Sequence, residues 1–173
     1  MVAGAIELMA VLIIGQRLGE LLLAQRNRRQ ALACGAQEYG VSHYRLFFIL
    51  HSAWLAGWVL EGRAAGALSA VWPVWLSLFI CAQLLRYWCI ISLGRCWNTR
   101  ILVIPGQPYV RGGPYRYLRH PNYLAVITEL AAVPLLFGAV WTAAAATLCN
   151  GVLLFFIRIP AEEKALQHME NPR

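Results

Sequence analysis

Charged residues are scarce in this sequence: they make up only 13% of the 173 residues, whereas hydrophobic residues make up 60%. A chain this apolar has more hydrophobic surface than one small soluble core can bury. The composition therefore argues against a soluble domain and favours a protein that is solvated by a lipid bilayer. The sequence also lacks internal repeats and a low-complexity linker, so we expect one domain over residues 1–173.

The five cysteines include no C-x-x-C pair, and most of them lie in or beside apolar segments, where cysteine acts as a small hydrophobe. We therefore expect no metal site and no redox centre. A cleaved signal is not expected either. The stretch "ALACG" at 31–35 follows "RNRRQ" instead of an apolar run, and Arg17 and Glu20 interrupt the first apolar segment.

Apolar segments predict an all-α integral membrane protein with about five transmembrane helices. A helix needs roughly 20 apolar residues to cross the hydrocarbon core. The segments that approach this length are 2–24, 46–60, 70–93, 122–137 and 141–157. The second, fourth and fifth are short, so we expect them to tilt little, to thin the bilayer locally or to extend past these ends. Pro134 and Gly138 predict a tight hairpin between the last two.

Basic residues are concentrated in the connection 25–45, the connection 94–121 and the C-terminal segment 158–173, whereas the other side carries Arg63 alone. Positively charged loops stay in the cytoplasm. We therefore expect the N-terminus outside and the C-terminus in the cytosol. The net charge of +7 then reflects topology and attraction to anionic membrane lipids, and nucleic-acid binding is not expected.

The connection 94–121 has the composition of an ordered loop. Pro105-Gly106 and Gly112-Gly113-Pro114 are turn signals, and the run "RILVI" between them predicts a strand or an extended strip. The loop ends in "RHPNY", where Pro121 suits the first turn of the next helix, so His120 should lie at the membrane surface at the start of that helix. The alternative interpretation is a retention loop whose arginines contact lipid headgroups.

The segment "RIPAEEKAL" follows the last apolar segment. Arg158 and Glu162 are four residues apart, which places both on one face of an unbroken helix. Pro160 should kink that helix or begin a new one, in which Glu162 and Glu163 would occupy the favourable first turn.

Together, "YVRGGPYRYLRHPNY" and "RIPAEE" resemble the integral-membrane methyltransferases typified by isoprenylcysteine carboxyl methyltransferase, which have phospholipid methyltransferases as relatives. The resemblance covers roughly residues 97–166. It implies that S-adenosylmethionine binds in a pocket closed by the loop and the C-terminal segment, and that Arg158 faces a lipid substrate. The implied cofactor contacts are Gln107, Pro108, Tyr109, Val110, Tyr115, His120, Pro121, Asn122, Tyr123 and Glu162. The sequence departs from the family at Gln107, where histidine is frequent, and at Ala125, where glycine is common.

The chemistry of the cofactor suits these residue types. A sulfonium is cationic, so a carboxylate such as Glu162 and aromatic faces such as Tyr115 and Tyr123 are favourable neighbours. The alternative for the tyrosines is an interfacial aromatic belt. Arg116 or Arg119 could pair with the carboxylate of the cofactor, although headgroup pairing is the alternative for an arginine in this loop.

Methyl transfer from a sulfonium requires alignment of the reacting atoms and exclusion of water. A carboxylate acceptor needs only a cation such as Arg158 to orient it, whereas a phenol or enol needs a base. Glu129 is the candidate base, because it lies about two turns deeper than Asn122 on nearly the same helix face. The alternative is that Glu129 pairs with Arg86 or Gln83. Two other candidates, His51 and His43, lie near a helix end, where a histidine is more often structural.

The sequence looks most like small bacterial members of the family, some of which O-methylate alkylpyrones or alkylresorcinols. This implies a lipophilic acceptor, either such a hydroxyl or an isoprenylcysteine-like carboxylate, that enters sideways from the bilayer of a bacterial inner membrane. Two other classes stay open. One is an NADPH-dependent membrane reductase of the sterol reductase type, and the other is a non-enzymatic small membrane scaffold.

Overall fold

The computed structural model describes residues 2–106 and 110–170, apart from the side chains of Ser42, Leu166 and residues 168–170. Helices dominate, as predicted. They are α1 (Val2–Ala33), α2 (Val41–Ala65), α3 (Trp72–Leu93), α4 (Pro121–Leu136), α5 (Val140–Leu153) and α6 (Ile159–Glu170). Two short strands, β1 (Gln37–Tyr39) and β2 (Ile101–Val103), pair antiparallel with Glu38 opposite Leu102. The run "RILVI" therefore contains a strand.

The first two helices are longer than the apolar segments that predicted them. α1 continues past residue 24 to Ala33, and α2 begins at Val41 and ends at Ala65 instead of covering 46–60. The added residues are largely polar or small, and many of them are good helix formers. The apolar run therefore marks the part of each helix that suits hydrocarbon, whereas the helix itself continues beyond it.

A π-helical turn, Leu154–Arg158, joins α5 to α6. The backbone N–H of Ile159 donates to the carbonyl of Leu154, five residues earlier. Pro160 has no N–H, and in a regular α-helix its ring would collide with the carbonyl four residues before it. The wider turn relieves this conflict. The break expected at Pro160 is therefore a local widening, and the helix continues past it.

Two helical stretches, Trp72–Cys96 and Val140–Ala165, are long and apolar enough to cross a membrane, judged by length and composition. Large apolar side chains point outwards along both, including Ile91 and Phe156. A surface of this kind suits hydrocarbon better than water. The number of five spans stays a prediction.

The three arginine-rich segments lie together at one end of the helical bundle, which we call the arginine-rich end. β1 and β2 bring the first two segments together, and Ala165 of α6 packs against Ile101 and Val103. At the opposite end, Arg63 of α2 pairs with Glu7 of α1 at 3.0 Å. The grouping of loops that the basic residues predicted is therefore present in the fold. Which side of a membrane each end faces stays a prediction.

The main hydrophobic core fills the half of the bundle nearer the opposite end. Trp58 stacks on Phe137 with ring centroids 5.4 Å apart, and the indole N–H of Trp54 donates to the carbonyl of Leu130 at 3.0 Å. Trp54, Leu130 and Ala146 belong to this one cluster. The expected hairpin joins α4 to α5, and Gly138 turns the chain with a φ of 72°.

Candidate functional site

A cavity of about 1170 Å³ extends from the arginine-rich end into the bundle. Near the loop it is lined by Tyr115, His120 and Glu162, and deeper in the bundle by His51 and Asn150. Ligand sites usually measure about 300–1,000 Å³. The cavity therefore has room for a cofactor and part of a second ligand.

The cavity also opens sideways between α1 and α2. Ile14, Leu18 and Phe48 border it and are themselves 43%, 57% and 65% exposed. Apolar residues that are both exposed and on the border of a cavity mark its opening. This opening faces the apolar side of the bundle, away from the arginine-rich loops.

Most of the residues predicted for the site line this one cavity. They are Val110, Tyr115, His120, Asn122, Tyr123, Arg158 and Glu162. Pro121 is buried as the first residue of α4 and does not line the cavity. Gln107, Pro108 and Tyr109 lie outside the described residues. Glu129 lies next to the cavity without lining it.

The start of α4 positions two aromatic rings. His120 is the residue before the helix and Pro121 is its first residue, as the motif predicted. The carbonyl of His120 accepts a hydrogen bond from the Tyr123 backbone N–H at 3.1 Å. This turn stacks the imidazole on the Tyr123 phenol, with centroids 5.2 Å apart and planes 15° apart. Both residues line the loop end of the cavity.

The Tyr123 hydroxyl connects α4 to the C-terminal helix. It donates to a carboxylate oxygen of Glu162 and accepts from Nε of Arg158, at 3.3 Å in the second case. Arg158 also donates to the carbonyl of Thr99 at 3.0 Å. The predicted shared face of Arg158 and Glu162 is therefore present, and Tyr123 lies between them. Within the described part of the chain, no salt bridge neutralises Arg158.

Several polar groups near the loop end suit a ligand. Asn122 Oδ1 and Trp97 Nε1 are buried and have no hydrogen-bond partner among the described residues, and both residues line the cavity. Burial raises the pKa of the Tyr115 phenol well above its usual value, and the nearby Cys89 and Glu162 add to this effect. Tyr115 therefore stays protonated and can donate a hydrogen bond.

Glu129 belongs to a buried cluster of four charges. Its two carboxylate oxygens accept from Arg17 at 2.5 Å and from Arg86 at 2.7 Å. Both arginines also bond Glu20, at 2.7 Å and 3.3 Å. This geometry supports the pairing of Glu129 with Arg86. A carboxylate that two guanidinium groups already hold is a weak proton acceptor, so Glu129 is poorly suited to act as the base.

Sequence reasoning missed the role of Arg17 and the position of Asn150. Both residues could have been singled out from the sequence, because a charged or amide side chain inside an apolar segment usually has a specific partner or function. It also missed the latch that fixes the start of the loop. Asn27 donates to the carbonyls of Gly94 and Trp97 at 3.0 and 2.8 Å, and Asn98 donates back to α1.

Comparisons with known proteins agree with the motifs. The isoprenylcysteine carboxyl methyltransferase (ICMT) family matches residues 75–168, more than half of the chain. Over 163 residues the chain is 39% identical to the uncharacterized protein YpbQ of Bacillus subtilis (strain 168), covering 92% of this chain and 95% of that protein. Over 159 residues it is 28% identical to an uncharacterized protein of Haemophilus influenzae (strain ATCC 51907 / DSM 11121 / KW20 / Rd), with 91% and 92% covered. No solved structure matches the chain. The chain belongs to the isoprenylcysteine carboxyl methyltransferase family, a family of membrane methyltransferases.

Proposed function

We propose that the protein is an S-adenosylmethionine-dependent O-methyltransferase that acts on a lipophilic acceptor. One observation carries the proposal: a single cavity joins the polar residues of the arginine-rich end to the apolar opening between α1 and α2. A water-soluble donor would enter at the loop end, and a membrane-resident acceptor would enter through the opening. Methyl transfer is the chemistry of the family.

The residues at the loop end fit S-adenosylmethionine, the donor that the family uses. When bound, the donor supplies an electrophilic methyl group on a cationic sulfonium. The stacked aromatic pair of His120 and Tyr123 suits an adenine ring, Glu162 offers a negative charge, and the unpartnered amide oxygen of Asn122 can accept from a ribose hydroxyl. Val110 and Tyr115 line the same region. Gln107, Pro108, Tyr109 and Pro121 remain proposed contacts on the strength of the resemblance alone.

Arg158 suits the role of orienting the acceptor oxygen. It is only 9% exposed and lines the cavity, and no salt bridge within the described part of the chain neutralises its guanidinium. Its bonds to Thr99 and Tyr123 hold the guanidinium in place, which reduces the entropy lost on orienting a substrate. The proposed acceptor is the hydroxyl of an alkylpyrone or alkylresorcinol, and the alternative is an isoprenylcysteine-like carboxylate.

We also propose a bacterial inner-membrane location with the arginine-rich end in the cytosol. The donor would come from the cytosol, and basic loops favour that side. Membrane lipids would then surround the apolar helices and contact the exposed arginines.

Titration calorimetry in detergent micelles tests the cofactor. S-adenosylmethionine should bind and NADPH should not. His120→Ala and Glu162→Ala should each weaken binding by roughly tenfold or more, the size of a lost charged hydrogen bond or ring contact. Glu7→Ala, at the opposite end, should bind like the wild type. Binding of NADPH alone would indicate a reductase, and binding of neither would favour a non-enzymatic protein.

Lipid extracts test the acceptor. Cells with the gene should contain a lipid that is heavier by one methylene group than its counterpart in cells without the gene. Purified protein should then transfer a labelled methyl group to an alkylpyrone or alkylresorcinol. Transfer only to an isoprenylcysteine analogue would instead assign a carboxylate acceptor.

A further inference from the structure

The deep end of the cavity has a floor made by three helices. Trp54 of α2, Leu130 of α4 and Ala146 of α5 share one core cluster, and the indole of Trp54 is tied to the backbone of Leu130. One helical turn closer to the arginine-rich end, the same three helices carry His51, Val126 and Asn150. These three residues all line the cavity. They therefore surround its deep end at a common level.

Asn150 is an unusual residue for this position. It is 0% exposed, and neither its amide oxygen nor its amide nitrogen has a hydrogen-bond partner among the described residues. A buried amide without partners destabilises a protein. The arrangement is explained if a ligand supplies the missing hydrogen bonds.

Two further polar groups border the same space. Arg86 is 2% exposed and lines the cavity, and its Nε–H has no partner although its other nitrogens bond Glu20 and Glu129. His51 contacts the carbonyl of Phe47 through Nδ1 at 2.8 Å. A carbonyl can only accept, so Nδ1 carries the hydrogen, and Nε2 of the neutral ring can only accept. His51 also lies within electrostatic reach of Arg17, Arg86 and Glu129.

These groups offer a ligand both donors and acceptors. The donors are the Asn150 amide N–H and the Arg86 Nε–H, and the acceptors are the Asn150 oxygen and His51 Nε2. The charges of Arg17 and Arg86 are balanced by those of Glu20 and Glu129, so the space offers no unbalanced cation. An ionised carboxylate has only acceptors and would face the two acceptor atoms. A neutral group with a hydroxyl and a second oxygen could satisfy both kinds of atom.

We propose that Asn150, His51 and Arg86 form an acceptor subsite for the neutral, hydroxyl-bearing end of a lipophilic molecule, with His51 Nε2 accepting from its hydroxyl. The role of this subsite in methyl transfer rests on the proposed function, because the subsite would determine which class of acceptor is methylated. Its ability to bind such a molecule does not depend on the cofactor. Asn150 acts here as a positioning and specificity residue.

Equilibrium binding without S-adenosylmethionine tests the subsite. Calorimetry in detergent micelles compares an alkylresorcinol with its dimethyl ether and with a fatty acid of the same chain length. Wild-type protein should bind the resorcinol about tenfold or more tightly than the other two, because a site built to bond a hydroxyl rejects analogues without it. Asn150→Leu should lower resorcinol affinity by about tenfold and leave the affinity for the ether unchanged.

Thr147→Val is the matched control. Thr147 also has an unpartnered, buried hydroxyl on α5, but it does not line the cavity. This variant should bind all three ligands like the wild type. His51→Phe should lower the resorcinol affinity in the same way as Asn150→Leu.

Unchanged resorcinol binding in Asn150→Leu would overturn the subsite. So would loss of folding in that variant, because removing an unsatisfied amide should not destabilise the protein, whereas removing a structural one would. If the preference for the resorcinol is present but no methyl group is transferred and no S-adenosylmethionine binds, the proposed function fails and the subsite stands.

Discussion

At the level of single residues, the buried charges decide which carboxylate is available for chemistry. Glu129 is 1% exposed and is held by Arg17 and Arg86, whereas Glu162 lines the cavity and, among the described residues, accepts a hydrogen bond from the Tyr123 hydroxyl alone. A buried ion pair gains its stability only while all its members are present. Glu129 therefore contributes to the assembly of α1, α3 and α4, and Glu162 remains accessible to a ligand.

We predict that Glu129→Gln destabilises the protein. The change leaves two guanidinium groups with one carboxylate, and breaking a buried pair typically costs about 3–5 kcal/mol. Glu7→Gln is the matched control, because the pair of Glu7 with Arg63 is 62% and 50% exposed and an exposed pair contributes about 0–1 kcal/mol. Unfolding by denaturant in detergent micelles measures both.

A different result would restore Glu129 as the base. If Glu129→Gln were as stable as the wild type while single-turnover methyl transfer fell by about 10²- to 10⁴-fold, the carboxylate would act in catalysis. A destabilised variant whose remaining folded fraction transfers at a normal rate supports the structural role.

The motifs predicted which residues line the cavity better than they predicted the charge network beside it. "RHPNY" and "RIPAEE" located His120, Tyr123, Arg158 and Glu162, because residues close in sequence stay close in space around a helix start or along one helix face. Arg17 lies 112 positions from Glu129. Such a contact depends on how α1 crosses α4, which no local pattern in the sequence specifies.

At the level of secondary-structure elements, a carboxylate in β1 fixes the loop that carries the site. One Glu38 oxygen accepts from Arg28 at 2.7 Å, and the other accepts from Arg100 of the loop. The Arg100 guanidinium also lies over the ring of Tyr44, 4.4 Å from its centroid. Glu38 thereby ties the end of α1, the small sheet and the start of α2 to the loop 94–121.

The strand pairing shows what the sequence could not supply. "RILVI" predicted an extended segment, but its partner, "QEY", has no strand pattern of its own. Three residues are too few to show an alternation of apolar and polar side chains. The pairing forms because the latch of Asn27 and Asn98 brings the connections 25–45 and 94–121 together. The helix ends beyond the apolar runs could not be predicted for a similar reason. Hydropathy indicates which residues prefer hydrocarbon to water, but it does not indicate where the backbone hydrogen bonds of a helix end.

We predict that Glu38 makes the stability of this region depend on pH. Burial alone would raise the pKa of Glu38, but the hydrogen bonds and charges of Arg100 and Arg28 outweigh it and hold the pKa below its ordinary value of 4.5. Because the folded-state pKa is lowered, the stabilisation is fully present above pH 4.5 and is lost as the pH falls through the folded-state pKa. Glu38→Gln should lower the free energy of unfolding by about 1–3 kcal/mol near neutral pH.

Thermal unfolding of the wild type and Glu38→Gln at several pH values measures this effect. The difference between the two proteins should shrink as the pH falls below the ordinary carboxyl range, because the wild-type carboxyl is then protonated as well. A difference that stays constant down to about pH 3 would mean that the charge of Glu38 is not what stabilises the loop.

At the level of the whole molecule, the fold separates two kinds of surface. The arginine-rich loops, the small sheet and α6 lie at one end, and the connection between α2 and α3 lies at the other with Arg63. The cavity begins at the first end and opens sideways onto the apolar flank. This arrangement suits the proposed transfer from a water-soluble donor to a lipid-soluble acceptor, in which the loop end faces the side where the donor is made.

We therefore predict that the arginine-rich end is cytosolic and that the connection between α2 and α3 is outside. In a variant without the native cysteines, Gln30→Cys reports on the first end and Ala67→Cys on the other, since both positions are exposed. Gly66 is unsuitable, because its φ of 68° would strain a cysteine.

An impermeant maleimide added to intact spheroplasts should label position 67 and spare position 30, and lysis should make position 30 reactive. Labelling of position 30 but not of position 67 before lysis would show the opposite orientation. The proposed donor site would then face away from the cytosol, where the donor is made. Such a result would contradict the orientation and the cytosolic route to the cofactor together, because both follow from the same positively charged loops.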